Sequence, residues 1–426
     1  MNIRKIVFTL LDNFRGRPMG KQLKDIERKM LDTTEQNPTQ DNIDKFITHA
    51  TSTTKFYQKY QGKALKEFPI INKTLLKENY NDFLSDKYSN DELIPVTTSG
   101  STGAPFTYLL TQEKKFRRQA EVIYFGRIAN YELGIKHAYT RMMQKSIIKS
   151  FMQNQILMNP TNMNQKWLKK QRKKLKKRCK IIIGYPSTIS SLAKYCIEQG
   201  DTPKDFFVKG VITSAETLQK DQKEAIEKAF GCSVFNRYST EEFGVLANSC
   251  EAGNLHINNA TFYIELLKEN KDAPVRPGEV GRIVVTDLYS HAFPLIRYDV
   301  GDMGIMDSEC SCGHKGYVFK SIQGRKIEKL YDIEGQTVSP FAINSAMRDI
   351  PGVLQFQFIQ EKINVYRLLI VPHKKLESSV ESIIKKRFTS ILGKDANIII
   401  EKLEDIPPLK SGKRPYIRQN YKKENI

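Results

Sequence analysis

A run of small hydroxyl side chains and glycines at residues 98–103 has the composition of an anion-binding loop. It reads Thr98-Ser99-Gly100-Ser101-Thr102-Gly103. Glycine permits positive φ angles, so successive N–H groups can point at one anion, and the hydroxyls add donors without fixed charge. Such a loop suits a phosphate group that is held and then released. An ordinary turn of the same composition is the alternative, and the Gly-Lys-Ser/Thr ending of a Walker-type loop is absent.

Acidic residues follow two later segments that end in polar loops. Glu241 and Glu242 come shortly after an apolar run at 233–237. Two carboxylates at the tip of a strand attract a hard cation such as Mg²⁺, although a surface acid pair is an equally ordinary interpretation. Asp302 follows Gly301 in a polar turn. An aspartate held there can accept hydrogen bonds from both hydroxyls of a ribose.

Two cationic residues lie beside flexible glycines towards the end of the chain. Gly324-Arg325 places a permanent cation next to glycine, which suits a phosphate or a ribose. Ser411-Gly412-Lys413 places a lysine on a loop, where it could reach a developing negative charge when a small domain closes. In a lysine-rich chain, any single lysine is more often an ordinary surface residue.

Four cysteine and histidine residues have the types and spacing of a metal site. Cys250 and His256 form Cys-x₅-His, and Cys310 and Cys312 form Cys-x-Cys-Gly. Together they predict a closed tetrahedral zinc site that braces two loops. Separate buried thiols are the alternative, and His314 is a rival ligand. The other cysteines, Cys179, Cys196 and Cys232, lie in helix or strand patterns and are expected in the core.

The elements that must position these residues alternate between strand and helix from about residue 180. Apolar runs at 181–183, 207–213 and 233–237 each precede a polar loop, and helices follow the first two. This βαβ pattern predicts a parallel sheet whose loops meet at the carboxyl edge. Residues 1–60 are expected to be helical. Beyond 260 the strands predict an antiparallel or barrel-like part, and after residue 324 a small α/β unit follows.

Length and composition limit the class of protein. A chain of 426 residues with 40% hydrophobic residues predicts a globular protein of two domains. No apolar run approaches the ~18 residues of a membrane span, no signal peptide is evident, and six cysteines predict a reducing, cytoplasmic setting.

The net charge of +21 is concentrated partly in a basic segment at residues 166–178. A nucleic acid or an anionic membrane surface would be attracted to such a segment. No nucleic-acid-binding motif accompanies it, so a nucleic-acid partner is not expected. A solvated helix with lysines on its outer face is the preferred interpretation, and peripheral contact with the inner face of a membrane stays open.

The order of these signals resembles a known superfamily. Between about residues 60 and 420, the segments 98–103, 214–216, 238–242, 297–302, 324–325 and 411–413 resemble the motifs of adenylate-forming enzymes. Within that superfamily the chain is most similar to the phenylacetate–CoA ligase branch and to CapK-like proteins of capsular polysaccharide biosynthesis. The resemblance implies an α/β fold. A large N-terminal domain (1–324, with the 1–60 helical arm) has parallel sheets, helices and a barrel-like part, and a small mobile α+β domain (325–426) follows.

The resemblance also implies the parts of the nucleotide site. The loop 98–103 would hold the β and γ phosphates, and Tyr238 would line the nucleotide or acyl pocket. Asp302 would bind the ribose, and Arg325 would contact the ribose or a phosphate. The border of the adenine would be formed by Ser214, Ala215 and Glu216.

Two further residues carry the implied chemistry. Glu242 would bind Mg²⁺, and Lys413 would bridge the substrate carboxylate and the α-phosphate during the first half-reaction only. ATP and Mg²⁺ are therefore the implied cofactors, with zinc as a structural ion. A carboxylic acid is the implied substrate, and the acceptor is CoA or an amine or hydroxyl of a glycan.

Four positions depart from the family pattern. Ser239 replaces a usual glycine, and Glu241 replaces a Ser or Thr that contacts the α-phosphate. Ala104 replaces a frequent lysine, and Ile327 lies where relatives have a hinge Asp or Lys. These departures keep two alternatives open: a nucleotide-binding protein with weak catalysis, and an adaptor for anionic surfaces that acts through residues 166–178.

Overall fold

The structure is a computed structural model that divides into two compact units. It describes residues 2–31, 39–98, 106–141, 146–161, 163–314, 316–325, 330–338, 340–347, 350–372, 376–409 and 414–421. The first unit comprises residues 1–135 and 235–324, and the second comprises residues 136–234 and 325–426. The assignment of 1–324 and 325–426 as separate domains stays a prediction.

The helices begin at the N-terminus, as the polar and apolar pattern of residues 1–60 predicts. Their bounds are α1 (Ile3–Phe14), α2 (Pro18–Leu31), α3 (Gln40–Thr53), α4 (Lys55–Gln58), α5 (Lys73–Glu78), α6 (Gln112–Gly126), α7 (Ile147–Met152), α8 (Gln165–Leu175), α9 (Pro186–Glu198), α10 (Lys220–Phe230), α11 (Pro340–Met347) and α12 (Ser378–Leu392). Hydroxyl or amide side chains cap several of them. Thr39 and Thr111, for example, accept the N–H three residues on at the start of α3 and α6.

The strands account for most of the remaining regular structure. Their bounds are β1 (Ile94–Thr98), β2 (Phe106–Leu110), β3 (His137–Thr140), β4 (Gln155–Met158), β5 (Ile181–Gly184), β6 (Gly210–Ser214), β7 (Val234–Thr240), β8 (Gly244–Ser249), β9 (Leu255–Ile257), β10 (Phe262–Leu267), β11 (Val280–Asp287), β12 (Tyr298–Asp307), β13 (Val318–Arg325), β14 (Leu330–Tyr331), β15 (Thr337–Val338), β16 (Val353–Lys362), β17 (Val365–Pro372), β18 (Asn397–Lys402) and β19 (Ile417–Gln419).

The first unit contains an antiparallel hairpin and an antiparallel sheet. β1 pairs with β2, and Thr98 lies opposite Phe106 at the end of that ladder. The sheet has the order β10-β11-β12-β13-β9-β8-β7 within this unit, so the antiparallel strands predicted beyond residue 260 are confirmed. Its core is aromatic: Phe83 stacks with Phe293 at a centroid distance of 5.9 Å, and Phe106 packs against the same ring.

The second unit contains the parallel sheet that the βαβ pattern predicts. Its strands have the order β6-β5-β3-β4 and pair in parallel. Residues of α8, α9 and α10 pack on its core, including Leu168, Ile189 and Ile226. The strand predicted at 207–213 begins only at Gly210. Phe207 is half exposed, and Val208 is buried but precedes the first residue that pairs in the sheet.

The end of the chain forms a second sheet in the same unit. β16 and β17 are antiparallel, while β19 and β18 pair in parallel at the two edges. α11 and α12 pack on its core through residues such as Ile343 and Phe388. The small α/β unit predicted after residue 324 is confirmed in its elements. Within the described ranges, no helix has the length and apolarity to cross a bilayer.

Candidate functional site

Several predicted site residues lie outside the part of the chain that the structure describes. These are Lys413 and the loop residues Ser99, Gly100, Ser101, Thr102 and Gly103. Thr98 and Arg325 are placed by their backbone as the last residues of β1 and β13. The phosphate loop, the Arg325 contact and the catalytic lysine therefore stay predictions.

The predicted adenine-bordering residues follow β6 directly. Ser214 is the last residue of that strand, and Ala215 has a φ of +72°. A residue with a Cβ rarely takes this left-handed conformation, and such strain is concentrated at ligand sites and tight turns. The backbone at Ala215 thus makes a sharp turn at the carboxyl end of the strand.

The side chain of Glu216 bridges two backbone segments of the second unit. One carboxylate oxygen, Oε2, accepts the N–H of Ser187 at 3.1 Å, in the first turn of α9. The other, Oε1, accepts the N–H of Arg414 at 2.8 Å. An anion is favoured at the N-terminus of a helix because unpaired N–H groups and the helix dipole are positive there. Glu216 therefore holds the residue that follows Lys413 against the start of α9.

Arg414 is itself fixed by its side chain. Its Nε donates to the carbonyl of Ile406 at 2.7 Å, and its Nη2 lies 3.2 Å from the carboxylate of Asp405. Burial raises the pKa of Asp405, and the charge of Arg414 offsets part of that rise. A nearly buried ion pair thus anchors the chain immediately after Lys413.

A cavity of about 430 Å³ with both polar and apolar lining residues lies in the same unit. Ser187, Gln355 and Arg414 line it, and each is more than nine-tenths buried. One polar side-chain atom of each, Oγ, Oε1 and Nη1 respectively, has no hydrogen-bond partner among the described residues. Because ordered water satisfies such atoms in many proteins, the cavity by itself assigns no ligand.

In the first unit, Tyr238 and Asp302 are brought together. The hydroxyl of Tyr238 donates to Oδ2 of Asp302 at 2.7 Å. Tyr238 lies near the end of β7 and Asp302 within β12, and both are half-buried. The ring of Tyr238 also packs edge-on against Phe319. The hydrogen bond leaves the second carboxylate oxygen, Oδ1, outside this contact and orients the carboxylate.

Glu241 and Glu242 lie in the turn between β7 and the antiparallel β8. The backbone carbonyl of Glu241 accepts hydrogen bonds from the hydroxyl of Tyr108 and from Nη2 of Arg118, the latter at 3.0 Å. Arg118 also donates to the hydroxyl of Tyr108. Burial raises the pKa of Tyr108, so its hydroxyl stays a donor. The two acids are thus presented on a turn whose backbone is fixed from α6 and β2.

The four predicted metal ligands converge. Cys250 follows β8, His256 lies on β9, and Cys310 and Cys312 lie between β12 and β13. Their ligand atoms all lie within 4.8 Å of one another. Sγ of Cys250 and Sγ of Cys310 are 3.6 Å apart, and Sγ of Cys312 is 3.2 Å from Nε2 of His256. In a tetrahedral zinc site, bonds of about 2.3 Å to sulfur and 2.0 Å to nitrogen separate the ligand atoms by about 3.5–3.8 Å.

The electrostatics of this cluster suit a cation. Burial opposes ionisation of Cys310, but hydrogen bonds from N–H groups and neighbouring thiols outweigh it and lower the pKa of its thiol to about 7. These donors include the backbone of Cys312 and the Asn254 amide, the latter at 3.2 Å. Burial lowers the pKa of His256, which favours the neutral ring that binds metals. The rival, His314, lies 3.8 Å from Sγ of Cys312 and is exposed.

Sequence reasoning missed Arg118, Ser187 and Arg414 as parts of the candidate site. Each acts through a contact with residues distant in the chain. Arg414 follows the Ser-Gly-Lys motif directly, which is the one local signal that marks it. The βαβ pattern predicts that the loop containing Ser187 lies at the sheet edge but does not single out the residue, and Arg118 has no local signal.

Sequence comparisons find two relatives and one family. Residues 330–420 match the family described as the CapK C-terminal domain. The chain is 24% identical to "Protein CapK" of Staphylococcus aureus over 405 residues, which is 89% of this chain and 88% of the relative. It is 28% identical to a "Phenylacetate-coenzyme A ligase" of Thermus thermophilus over 183 residues, which is 42% of this chain and 41% of the relative.

Structural comparisons agree with these relatives on the fold. A 2-hydroxyisobutyryl-CoA ligase in complex with an acyl-AMP, in its postadenylation state, matches with a TM-score of 0.70 and 16% identity, covering 88% of each chain. ATP-bound MatB from Rhodopseudomonas palustris matches with a TM-score of 0.53 and 15% identity, covering 77% of this chain and 67% of that one. The resemblance recognised from the motifs is confirmed: the chain is a homologue of Protein CapK with the fold of the adenylate-forming CoA ligases.

Proposed function

We propose that the protein uses ATP and Mg²⁺ to adenylate a carboxylic acid and then transfers the acyl group to a nucleophile. A carboxylate oxygen attacks the α-phosphorus of ATP and pyrophosphate leaves. The acceptor then attacks the acyl carbon of the acyl-AMP, loses its proton, and AMP leaves. Adenylation is needed because a carboxylate would otherwise have to expel oxide, whereas the acyl-AMP expels a stable phosphate.

One observation carries this proposal most directly. The fold matches, over 88% of both chains, a ligase whose structure holds an acyl-AMP. The hydrogen bond from Tyr238 to Asp302 supports it, because a carboxylate oriented in this way can accept both hydroxyls of a ribose. In this proposal, Glu242 holds Mg²⁺ at the β7–β8 turn, and the loop 98–103 and Arg325 contact phosphates or ribose.

Lys413 carries the charge that the first step requires. The carboxylate and the α-phosphate are both anions, so a cation between them stabilises the transition state. Glu216 and Asp405 hold the neighbouring Arg414 and so position the segment that contains Lys413. The acceptor is CoA, as the CoA-ligase relatives suggest, or an amine or hydroxyl of a cell-surface glycan precursor, as the resemblance to CapK-like proteins suggests.

Pyrophosphate release over a panel of acids tests the first half-reaction. The purified protein is incubated with ATP, Mg²⁺ and amino, aryl or fatty acids. We expect release with at least one class and a loss of roughly 3–4 kcal/mol of transition-state stabilisation in Lys413→Ala. Lys410→Ala, three residues earlier in the same segment, is the matched control and should retain activity. The absence of pyrophosphate release with all three classes of acid would contradict the proposal.

Two measurements separate the proposal from its alternatives. ATP binding without pyrophosphate release would favour a nucleotide-binding protein of the same fold. Ser239, Glu241 and Ile327, which depart from the family pattern, are the reason for considering this alternative. With an active acid in hand, adding CoA distinguishes the acceptors. A thioester product identifies CoA, and acyl transfer to an amino sugar nucleotide without a thioester identifies a glycan acceptor.

We also propose that Cys250, His256, Cys310 and Cys312 hold a structural zinc ion. The four ligand atoms lie within 4.8 Å of one another, and two separations, 3.6 Å for Cys250–Cys310 and 3.2 Å for Cys312–His256, are near tetrahedral values. Four protein ligands leave no open position for catalysis. Metal analysis tests this proposal, with one zinc per chain expected. Cys310→Ser should lose the metal, whereas Cys232→Ser, a half-buried cysteine outside the cluster, should retain it. If wild-type protein expressed in zinc-supplemented medium contains no zinc, the proposed site is wrong.

A further inference from the structure

Helix α1 presents an apolar stripe to the solvent. Ile3, Val7, Leu10 and Phe14 recur at the spacing of one helix face, and Ile6 and Leu11 widen the stripe. All six side chains are exposed, with Ile3 at 66%, Leu10 at 61% and Phe14 at 91%. A soluble chain normally turns such a face towards its core, so something outside the described contacts should cover it.

The opposite side of α1 is attached to the first unit. The side chain of Asn2 donates to the carbonyl of Leu133 at 2.9 Å, and Lys5 forms an ion pair with Glu132 at 2.9 Å. The single acid of the helix, Asp12, accepts the N–H groups of Met19 and Gly20 at the start of α2. These contacts hold the apolar stripe outward and direct the only negative charge of α1 into the protein.

The surroundings of the stripe are basic. Arg15 and Arg17 are exposed just after α1, and the whole chain carries a net charge of +21. In the second unit, α7 has the same character: Ile147, Ile148 and Phe151 are strongly exposed on a helix whose only charged residue is Lys149. Ten of the seventeen large apolar side chains that are exposed among the described residues lie on α1 or α7.

We propose that α1 binds the surface of an anionic lipid bilayer, with its axis in the plane of the membrane. A short helix with an apolar stripe and basic flanks has the composition of an interfacial helix, and its twelve residues extend about 18 Å. Basic residues near an anionic surface add to the attraction. A second copy of this chain fits less well, because each copy brings the same large positive charge to the contact.

Flotation with lipid vesicles tests this proposal on the full chain. Vesicles of phosphatidylcholine alone are compared with vesicles that contain phosphatidylglycerol. We expect binding to the second kind, lowered at least tenfold by high salt. The double variant Leu10→Gln, Phe14→Ser should also lower binding at least tenfold. Phe207→Ser, which alters one exposed aromatic residue outside α1 and α7, is the matched control and should bind as the wild type does.

Further readouts make the test decisive. Circular dichroism and thermal unfolding of the double variant should match the wild type, because none of the six stripe residues is buried. Brominated lipid should quench the tryptophan fluorescence of the Phe14→Trp variant more strongly than that of the wild type, whose one tryptophan is Trp167. The proposal is overturned if the wild type does not bind anionic vesicles. It is also overturned if charge reversal of Lys169, Lys170 and Lys173 on α8 abolishes binding while the double variant in α1 still binds. A loss of self-association in the double variant, with vesicle binding unchanged, would also overturn it and assign the stripe to a second copy.

Discussion

The carboxylate of Glu216 accepts the backbone N–H of Arg414 at 2.8 Å across 198 residues of sequence. Glu216 belongs to the segment that the motif resemblance assigns to the adenine, and Arg414 directly follows Lys413. The other carboxylate oxygen is held by the N–H of Ser187. A single side chain therefore links the turn after β6, the start of α9 and the segment of the proposed catalytic lysine, all within the second unit.

We expect Glu216→Gln to slow acyl-adenylate formation by about 10- to 100-fold. An amide offers one acceptor oxygen where two N–H donors are present, so one of the two contacts must be given up. A displacement of about 1 Å at a reacting group can cost about a hundredfold in rate. The measurement is pyrophosphate release at saturating ATP with the concentration of the carboxylic acid varied. We expect a larger fold-decrease in kcat than fold-increase in KM for the acid.

Glu224→Gln is the matched control for this substitution, because Glu224 is an exposed carboxylate on α10 in the same unit. It should leave kcat unchanged. Glu216→Asp keeps both acceptor oxygens on a shorter side chain and should recover part of the rate. Equal kcat values for Glu216→Gln and the wild type would show that the contact with Arg414 does not position Lys413.

Tyr238→Phe should weaken ATP binding while sparing the fold. The substitution removes the hydroxyl that donates to Asp302 at 2.7 Å and keeps the ring that packs on Phe319. A hydrogen bond to a charged group contributes about 1.5–3 kcal/mol, and half-burial places this one near the lower end. We expect Kd for ATP with Mg²⁺ to rise about tenfold in calorimetric titration. Tyr263→Phe, in a half-buried tyrosine of β10, should leave Kd unchanged; an unchanged Kd in Tyr238→Phe would refute the orienting role.

Glu121 makes stability depend on pH. It is fully buried on α6, and burial raises its pKa, while Lys114 and Arg117 offset only part of that rise. The folded state therefore holds the proton more tightly than the unfolded chain, whose glutamate pKa is about 4.3. The stability from this group is fully present below the unfolded pKa and is lost as the pH rises through the folded pKa.

We accordingly expect Glu121→Gln to raise the free energy of unfolding at pH 8, with the gain shrinking towards pH 4. The gain at pH 8 is about 1.4 kcal/mol for each unit by which folding raises the pKa. Urea unfolding at several pH values measures it. Glu113→Gln, an exposed carboxylate of the same helix, should show no such trend. A variant that is less stable than the wild type at pH 8 would mean that the charged form is the one that folding favours.

Local patterns in the sequence predict much of this fold, because burial and periodicity act over a few residues. The apolar run at 181–183 predicts β5, and the βαβ pattern predicts that the loops after β5 and β6 meet at one edge of the sheet, where Ser187 and Glu216 form their contact. Residue types and spacing within each pair, together with the motif resemblance, likewise predict the cluster that contains Cys250 and Cys310. Phe207 shows the limit of this reasoning, because its apolar side chain led to the prediction of a buried strand residue. In the structure, Phe207 is half exposed and lies outside β6.

Long-range polar contacts could not be predicted in the same way. Arg118 fixes the carbonyl of Glu241, and Glu216 holds the N–H of Arg414. The first contact uses a backbone carbonyl, which every residue has, and the second uses a backbone N–H, which every residue except proline has. Residue type therefore carries almost no information about them. The hydrogen bond between Tyr238 and Asp302 was open to prediction only through the motif resemblance, which assigned Asp302 to the ribose and Tyr238 to the nucleotide or acyl pocket.

Ala215 provides a stability test of the turn that follows β6. Its φ of +72° costs about 1–2 kcal/mol for a residue with a Cβ. Ala215→Gly removes that cost but adds freedom to the unfolded chain, so we expect a rise of up to about 1 kcal/mol in the free energy of unfolding. Ala215→Val should lower it by more than 1 kcal/mol, since a β-branched side chain tolerates positive φ less well.

Chemical unfolding of both Ala215 variants measures these changes, and Ala225→Gly on α10 is the matched control. There the same substitution replaces a helical residue and should lower the free energy of unfolding by about 0.5–1 kcal/mol. Opposite signs for glycine at the two positions would confirm that the turn, and not glycine itself, is responsible. If Ala215→Gly is instead as destabilising as Ala225→Gly, the left-handed conformation does not persist in solution. The turn would then be unable to hold Glu216 against both Ser187 and Arg414 in the way described.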